Sequence, residues 1–570
     1  MPASGEPAST SRVDVQRRSL LAAAAALPFA GCTRSTPAAY TGGWVGADVE
    51  RGHRLRDAKS GSLPTPAVQQ RASVLVVGAG VSGLAAARAL MRSGIDDVHV
   101  LELEDIAGGN SRGHRIAGMD CPLGAHYLPV PGAHATEVIE LLDDWGLRRT
   151  EGGQAVYDER HLCHSPQERL NIDGHWFEGL LPPIEALPAD QRAATLAQYR
   201  QFGAAVDRAG AGGAFSIPTA RSRWSPALDA LDAVAFAPWL DAQGLNAPAL
   251  RWYLDYCCRD DYGAGAAQVS AWAGLHYFAS RHGFHAPGEG APERDGVLTW
   301  PEGNAWLSRR LAEPLRERLH TGMVALRVTE NRADVSVDVW NAHAQRAERW
   351  SAASVVLAVP LFIAARLLAT PPAALTQAAA AMRHAPWLVG NLHLADALDD
   401  HPGAPPSWDN VIYDPGAALP TLGYVDAMHQ STRSVPGPTV LTTYWALGGN
   451  TPAQLTQQRA RLLSEPWSAW SQAVVQTLTR VHPDLPFKLR QVDLMRYGHA
   501  MSIPVPGLRS SAALRALAEP QPRVHFAHTD LSAYSVFEEA MYQGVRAATA
   551  VSARQRRAPA GASSSANART

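Results

Sequence analysis

The sequence predicts an α/β fold of two interleaved domains. Three observations predict it: a β-branched run leads at once into a glycine-rich turn and an alanine-rich helix, a second short strand ends in an acid, and the length of 570 residues exceeds what one hydrophobic core usually organises. With 46% hydrophobic and 18% charged residues, the composition is that of a globular protein. The net charge of −2 gives no indication of a nucleic-acid partner.

Residues 1–32 are predicted to be an export signal. Arg17 and Arg18 precede an apolar run, Leu20 to Ala30, which is too short to span a bilayer. Paired arginines before a weakly hydrophobic stretch resemble a twin-arginine signal, whose machinery exports folded proteins. The stretch that ends at Cys32 also resembles a bacterial lipobox. We therefore expect an exported protein, either periplasmic or tethered to the membrane through a lipid on Cys32.

Two further segments have the composition of chain without a core. Residues 33–72 are rich in Gly, Ser, Thr, Pro and charge, which predicts a linker, and residues 553–570 predict a disordered tail. No other segment offers about 18 uninterrupted apolar residues, so no transmembrane helix is expected in the mature protein.

The chemistry begins at the first predicted strand. Val74–Val77 is a β-branched run typical of a strand buried on both faces, and a helix is predicted from Leu84 to Met91. Between them stands the hexapeptide Gly78-Ala79-Gly80-Val81-Ser82-Gly83. This order of strand, glycine turn and helix predicts a Rossmann-type domain that binds a dinucleotide.

Each conspicuous residue of this motif has a mechanical reason. Gly78 permits the tight turn, Gly80 lets the backbone approach a pyrophosphate, and Gly83 lets the helix pack closely on the strand. The helix N-terminus then presents N–H groups and a partial positive charge to the phosphates. Glu102 ends the second strand, where its carboxylate is placed to accept hydrogen bonds from the ribose hydroxyls.

Motifs further along resemble the flavin amine oxidase and phytoene desaturase superfamily. They are the stretch from Leu101 through the glycine doublet Gly108-Gly109, and Gly124-Ala125-His126-Tyr127. The resemblance implies a glutathione-reductase-like FAD-binding domain of the amine oxidase type. The positions it assigns to the cofactor are Gly78, Ala79, Gly80, Gly83, Glu102, Leu103, Gly108, Gly109, Asn110, Gly124, Ala125, Val324, Asp530, Glu538 and Ala540.

Two distant segments extend this resemblance. Val324 opens a strand region and, by the resemblance, contacts the adenine end of FAD. Val524–Asp530 is predicted to be a strand and turn in which Asp530 contacts the ribityl or pyrophosphate portion. The helix that begins near Phe537 implies a dipole facing the flavin. No cysteine lies near this segment, so FAD is expected to be noncovalent.

The chain departs from the family pattern in the loop that follows Glu102. Glu104, Ile106 and Asn110 stand where the family usually has arginines. Arg112 or Arg115 could supply the missing positive charge.

Further departures fall near the flavin. The lysine that many relatives hold there is missing, since the only lysines are Lys59 and Lys488, and Asn391 is close to the expected place. Val536 replaces the usual aromatic residue before the C-terminal helix, and His528 replaces a glycine. These departures weaken the prediction of an amine substrate but not that of FAD.

The resemblance also divides the chain. The FAD-binding domain is expected to comprise residues 73–140, 295–375 and 488–552, and the α+β substrate domain residues 141–294 and 376–487. Within the substrate domain and at its edge, periodicity predicts two helices and two strands: Thr136–Trp145, Ala189–Ala209, Trp387–Leu394 and Pro438–Trp445.

Catalytic residues are not identified by the sequence. The candidates for lining the substrate cavity are His126, Tyr127, Asn391 and Tyr497. Asp260 and Asp261 could bind an ammonium group, but a solvated turn is the favoured interpretation. His161, Cys163 and His164 lack a second ligand cluster, so a surface loop is favoured and no metal site is predicted.

Three functions compete. The first is an FAD-dependent amine oxidase or dehydrogenase, in which hydride passes from the carbon beside nitrogen to the flavin. The second is a desaturase or isomerase of an apolar substrate, and the third is a non-catalytic flavoprotein electron carrier. The predicted partners are a small-molecule substrate and an electron acceptor, which could be oxygen, a quinone or a cytochrome.

Overall fold

The computed structural model describes residues 39–58, 63–281, 283–288, 296–417, 419–431 and 435–557. The predicted export signal, with Arg17, Arg18 and Cys32, lies outside these residues, as does the predicted tail beyond residue 557. Among the helices that are described, none is both long enough and apolar enough to cross a membrane.

The described chain alternates strands and helices. The strands are β1 Thr41–Trp44, β2 Val68–Val77, β3 Val98–Leu101, β4 Gly113–Ile116, β5 Met119–Pro122, β6 Tyr127–Pro129, β7 Arg148–Glu151, β8 Gln154–Tyr157, β9 Glu168–Ile172, β10 His175–Glu178, β11 Val297–Thr299, β12 Leu319–His320, β13 Met323–Glu330, β14 Val335–Asn341, β15 Arg346–Leu357, β16 Arg383–Leu394, β17 Asp409–Ile412, β18 Tyr424–Asp426, β19 Thr439–Ala446, β20 Leu489–Ile503 and β21 Val524–Phe526.

The α-helices lie between and after these strands. They are α1 Val49–Ala58, α2 Val81–Arg92, α3 Thr136–Asp144, α4 Arg192–Gly210, α5 Pro226–Asp232, α6 Phe236–Ala242, α7 Pro248–Tyr262, α8 Ala271–Ala279, α9 Ala305–Ala312, α10 Leu361–Leu367, α11 Ala373–Ala381, α12 Pro452–Ser464, α13 Trp467–Thr479, α14 Leu485–Lys488, α15 Ala512–Ala518 and α16 Phe537–Arg557.

A seven-stranded sheet forms the first domain. Its order is β12-β3-β2-β15-β14-β13, with β21 added beside β15. The strand β2 runs parallel to both β3 and β15, with Val74 opposite Val98 and Ser354. Helices α2 and α16 pack together beside this sheet. The predicted α/β fold class is confirmed.

Glycines let four backbone segments of this domain approach one another. A Cβ at Gly78, where φ is +100°, would lie 2.5 Å from the carbonyl oxygen of Ala358. A Cβ at Gly83 would lie 1.9 Å from the carbonyl oxygen of Gly78, and one at Gly544 would lie 2.2 Å from that of Ser82. Any side chain at these positions would separate β2, α2, α16 and the chain that follows β15.

An eight-stranded mixed sheet forms the second domain. Its order is β1-β20-β16-β19-β18-β17-β9-β10, and the helices α4 to α8 pack into the core on which it rests. The long strands β16 and β20 are antiparallel neighbours. The strands predicted at 387–394 and 438–445 are confirmed as parts of β16 and β19, and the helices predicted at 136–145 and 189–209 as α3 and α4.

The predicted linker over residues 33–72 is wrong for its described part. Thr41 to Trp44 form β1, which pairs in parallel with β20. The helix α1 packs on β13 and buries Leu55, and β2 begins at Val68. Composition concealed these elements, because a two-glycine strand and a charged helix resemble a linker until tertiary contacts stabilise them.

The domain limits also differ from those drawn on the sequence. Residues 489–503 belong to the second sheet as β20, whereas the sequence predicts all of residues 488–552 in the FAD-binding domain. Helix α3 crosses the predicted boundary at residue 140 and packs on α16. Residues 553–557 continue α16 and do not begin the disordered tail.

Candidate active site

The glycine turn lies between β2 and α2 as the motif predicts. Gly80 caps α2 with extended backbone, φ −70° and ψ 177°, and no side chain caps the helix. The first N–H groups of any helix have no intrahelical acceptor, so this end of α2 can donate to an anion.

Gly80 shows that the turn suits a pyrophosphate. Packing requires glycine at Gly78 and Gly83, because a Cβ there would collide with backbone. At Gly80 a Cβ would meet only the Cα of Gly109, at 3.9 Å, among the described residues. Protein packing therefore does not require glycine at position 80. A phosphate group of FAD lying in the open space in front of Gly80 would require it.

Glu102 lies beside this turn in a buried position. Its Oε2 accepts a hydrogen bond from the amide of Ala79 at 2.7 Å, and its Oε1 accepts one from the amide of Glu104 at 2.9 Å. Burial raises the pKa of Glu102, which these backbone donors oppose. Each oxygen keeps a second lone pair, so the carboxylate can still accept from a ribose. Leu103 follows it, and its carbonyl accepts from Arg51.

The glycine doublet packs against the turn. The amide of Gly108 donates to the carbonyl of Ala79 at 2.8 Å, and a Cβ on Gly109 would lie 3.1 Å from the Cα of Gly80. The positive charge in this loop comes from Arg112, whose Nε donates to the carbonyl of Gly109 at 2.9 Å.

The exposed side chain of Arg115 points elsewhere, to the carbonyl of Gly118.

A chain of backbone bonds continues from this loop to the predicted flavin position. Ala125 donates its amide hydrogen to the carbonyl of Asn110 at 2.8 Å, and a Cβ on Gly124 would lie 2.2 Å from that same oxygen. Asn304 fixes the segment from Ala125 to Tyr127, since its backbone amide donates to the carbonyl of Ala125 and its Nδ2 donates to the carbonyl of Tyr127. Hydrogen bonds thus connect the predicted cofactor segments from Gly108 to Tyr127.

Val324 lies on β13, close to Glu102, because its neighbour Met323 is hydrogen-bonded to Glu102. The amide of Met323 donates to the carbonyl of Glu102 at 2.7 Å, which places β13 beside the ribose acid. Val324 itself is buried.

Asp530 makes several contacts within the protein. Its side chain is fully buried, and its oxygens accept from the amide of Leu361 at 2.8 Å and from Nε2 of His384 at 3.0 Å. The histidines His384 and His528 hold the pKa of Asp530 well below its usual value against the effect of burial. This carboxylate therefore fixes the chain after β15 to the C-terminal turn, and its contact with the ribityl or pyrophosphate portion of FAD stays a prediction.

The N-terminus of α16 brings two further carboxyl groups inward. Burial raises the pKa of Glu538 to about 7. Glu539 is fully buried and accepts hydrogen bonds from the amide of Thr219 and from Oγ of Ser532. Ala540 packs in the core of the first domain. Thus Glu539 attaches α16 to the second domain, while Glu538 remains a cofactor-contact prediction.

Aromatic side chains cluster at the residues that follow Ala125. His126 stacks on Tyr444 with ring centroids 4.3 Å apart, and Trp408 stands 5.4 Å from His126 and 5.7 Å from Tyr127. Burial lowers the pKa of His126 to about 3, so this imidazole is neutral near pH 7. We call His126, Tyr127, Trp408 and Tyr444 the aromatic wall.

An acidic group faces the aromatic wall. Asp260 accepts a hydrogen bond from the hydroxyl of Tyr127, and burial together with the charges of Asp261 and Glu168 raises the pKa of Asp260 to about 7. Burial and the charges of Glu168 and Asp260 raise the pKa of Asp409 well above its usual value. The half-buried carboxyl groups of Asp260, Asp409 and Glu168, which we call the acid group, repel one another inside the protein.

The solvated turn favoured for residues 260–263 is therefore wrong. Asp260 and Asp261 form the last turn of α7, which Gly263 ends in the left-handed conformation at φ 73°. Asp261 is buried and pairs with Arg281 at 3.0 Å, and the hydroxyl of Tyr534 donates to it at 2.7 Å. Their polar composition is typical of a turn, but these residues continue a helix that begins with Pro248.

Two predicted cavity residues make hydrogen bonds within the protein. Asn391 is fully buried, donates from Nδ2 to the carbonyl of Pro122 at 3.0 Å, and accepts from Oγ1 of Thr442 at 2.7 Å. It lies on β16 between two other strands, where the chain through Pro122 covers it. Tyr497 is half-buried and donates its hydroxyl to the carbonyl of Leu123 at 2.8 Å, so it supports the loop before Gly124.

Sequence reasoning missed most of the acid group. Glu168 begins β9, Asp409 begins β17, and Arg281 lies just after α8, so no local motif connects them with Asp260. The parallel pairing of β17 with β9 sets Asp409 opposite Glu168. A signal in the sequence was available for Asp260, since the helical pattern that begins at Pro248 continues to Tyr262 and places Asp260 in a helix.

Comparison with known proteins gives a family match. The sequence pattern of the family described as flavin containing amine oxidoreductase matches residues 81–552. Polyamine oxidase 7 of Oryza sativa subsp. japonica is 38% identical over 110 residues, which are 18% of this chain and 23% of that protein. Putrescine oxidase of Kocuria rosea is 30% identical over 173 residues, 29% of this chain and 30% of that protein. The matched segments thus span less than a third of each of these relatives.

Solved structures share the fold. Cyclohexylamine oxidase from Brevibacterium oxydans superposes with a TM-score of 0.62 at 19% sequence identity, covering 85% of this chain and 100% of that one. At this identity the likeness establishes the architecture alone.

The open space at Gly80 generates the first prediction. We expect Gly80→Val to lose most bound FAD, because its methyl groups fill the phosphate position, while the apoprotein keeps its melting temperature. Glu102→Ala should weaken binding less, by roughly ten- to a hundredfold, which corresponds to about 1.5–3 kcal/mol for hydrogen bonds to a charged acceptor. FAD content is measured by absorbance, and affinity by titration of the apoprotein.

Asp105→Ala is the matched control, since Asp105 is exposed and pairs with Arg51 at the surface. It should retain full FAD content. A full complement of FAD in Gly80→Val would show that the glycine turn is not the phosphate site.

Proposed function

This chain belongs to the flavin-containing amine oxidoreductase family, and from that premise we propose that it is an FAD-dependent enzyme that oxidises a small amine. FAD is its cofactor, so the sequence-based prediction of FAD is confirmed. When bound, FAD accepts a hydride from the carbon next to the amine nitrogen. Glycine-turn amides, Glu102 and the segments through Ala125 hold this cofactor.

The acid group carries the proposal of an amine. Three carboxyl groups with half-buried side chains raise one another's energy inside the protein, and a cation placed among them would relieve this repulsion. Arg281 approaches Asp260 but is paired with Asp261. An ammonium group of the substrate would place a positive charge beside Asp260 and Asp409, and the aromatic wall can hold it through cation–π contacts.

The chain's own groups then have defined tasks. Asp260 in its ionised form binds the ammonium group and, with a pKa of about 7, can accept its proton, which frees the nitrogen lone pair that hydride loss requires. Tyr127 fixes Asp260 by its hydroxyl. His126, which is neutral, adds no competing positive charge, and the aromatic wall excludes water from the reacting carbon.

The substrate class is inferred from two features. The curated relatives are named for the oxidation of polyamines and of putrescine. Asp260 and Asp409 offer two carboxyl groups, one more than a single ammonium group requires. We infer that the substrate carries a second cationic nitrogen, and the acidic surroundings disfavour the alternative of an apolar desaturase or isomerase substrate.

The raised pKa of Asp260 generates a pH prediction. Binding of an amine should strengthen as the pH rises through about 7, because the ionised carboxylate binds the ammonium and the protonated acid does not. Asp260→Asn should bind the amine roughly ten- to a hundredfold more weakly and lose this pH dependence. The measurement is the flavin absorbance change on titration with a diamine that lacks hydrogen on the carbons next to nitrogen, which binds without being oxidised.

Asp241→Asn removes a carboxylate from an exposed position at the end of α6 and serves as the control for charge alone. It should keep the wild-type affinity and pH profile. An Asp260→Asn variant with the same profile as the wild type would place the ammonium elsewhere.

We also propose that the protein is exported through the twin-arginine pathway. The support is the pair Arg17 and Arg18 ahead of a short, weakly hydrophobic run. Replacing both with lysine should leave an uncleaved precursor in the cytoplasm, detected by fractionation and immunoblotting, because the receptor reads the paired guanidinium groups. The control replaces Arg12 and Arg34 with lysine, and equal export of both variants would exclude this pathway.

A further inference from the structure

A second cluster of ligand-type side chains lies away from the predicted flavin position. It comprises His401, in the loop after β16, and His482 and Asp484, in the turn between α13 and α14. We call it the His401 cluster. One ligand atom from each residue lies within 4.8 Å of the other two.

Each of these residues has a buried polar atom without a partner. Nε2 of His401, Nδ1 of His482 and Oδ1 of Asp484 are inaccessible and make no hydrogen bond to any described residue. His482 is only 1% exposed. A buried polar atom that is left unpaired is destabilising, so three in one place indicate a missing ligand.

In His482 and Asp484, the second polar atom of the side chain is bound by other residues of the protein. Nε2 of His482 lies 2.6 Å from the hydroxyl of Tyr424, and Oδ2 of Asp484 accepts from the amide of Asp399 at 2.8 Å and pairs with Lys488 at 2.9 Å. Metal-binding histidines and carboxylates are commonly oriented in this way, with the second atom hydrogen-bonded and the first one left for the ion.

The charges nearby permit a divalent cation. Lys488 and Arg169, which stacks on Trp176 at 4.0 Å, are positive, whereas Asp484 and Asp399 are negative. Lys488 is already bound to both of these carboxylates, so its charge is compensated.

We propose that His401, His482 and Asp484 bind one divalent transition-metal ion. Two imidazole nitrogens and one carboxylate oxygen are donors that Zn²⁺ accepts, at about 2.0–2.2 Å. The side chains of His401 and Asp484 are half-buried and can turn inward to reach those distances. Water completes the coordination.

The position of the site makes the ion structural. His384, bound to Asp530, lies at one end of β16, and Leu394 lies at the other, roughly 30 Å away at the usual rise of a strand. The His401 cluster follows the Leu394 end. There the loop is already attached to β10, since Trp176 donates to the carbonyl of Pro402 and accepts from the amide of Ala404. The ion would join this loop to the α13–α14 turn.

Zinc binding by the full-length protein with FAD bound, prepared without a histidine tag and treated with chelator, tests the proposal. We expect calorimetric titration with Zn²⁺ to give one equivalent, with a rise in melting temperature that follows the zinc concentration. His401→Ala and Asp484→Asn should each weaken zinc binding by at least about tenfold and abolish the rise, while FAD content stays unchanged.

His175→Ala is the control, because His175 is exposed on β10 near the cluster, and it should bind zinc as the wild type does. Co²⁺ provides a second measurement on the wild type alone, through d–d absorption bands at wavelengths beyond those of the flavin. Absence of stoichiometric zinc binding and of cobalt bands in the wild type would overturn the proposal. Equal zinc binding by the variants would do the same.

Discussion

The close approach of backbones around the glycine turn is the constraint on which the site depends. Gly78 meets the chain after β15, Gly83 meets Gly78, and Gly544 brings α16 onto the start of α2, each at a distance that no side chain permits. This packing leaves a free helix N-terminus for the phosphates. It also fixes α16, whose first turn carries Glu538 and Glu539 to the boundary with the second domain.

Hydrogen bonds and an ion pair connect that boundary to the residues around Asp260. Glu539 binds the amide of Thr219, and Tyr534, shortly before α16, donates to Asp261. Asp261 pairs with Arg281, whose positive charge also acts on Asp260. The segment that completes the cofactor domain is thereby connected to the residues around Asp260.

Local motifs made part of this arrangement predictable. The hexapeptide from Gly78, the acid Glu102 and the largely apolar strand β16 are each defined by a short stretch of sequence, so they were predictable. Contacts between distant segments were not predictable: β1 resembles a linker until β20 pairs with it, and Asp409 meets Glu168 through parallel strands far apart in the chain. The contacts of Asp530 with His384 and with the amide of Leu361 also join distant segments, and the motif alone does not indicate them.

Anaerobic reduction of the bound flavin tests the central claim most directly. The wild-type protein with FAD bound is mixed without oxygen with diamines, aromatic monoamines, amino acids and polyenes, and the flavin absorbance is followed. The acid group predicts that diamines bleach the flavin fastest, monoamines more slowly, and polyenes not at all. Bleaching by a polyene while every amine leaves the flavin oxidised would contradict the account.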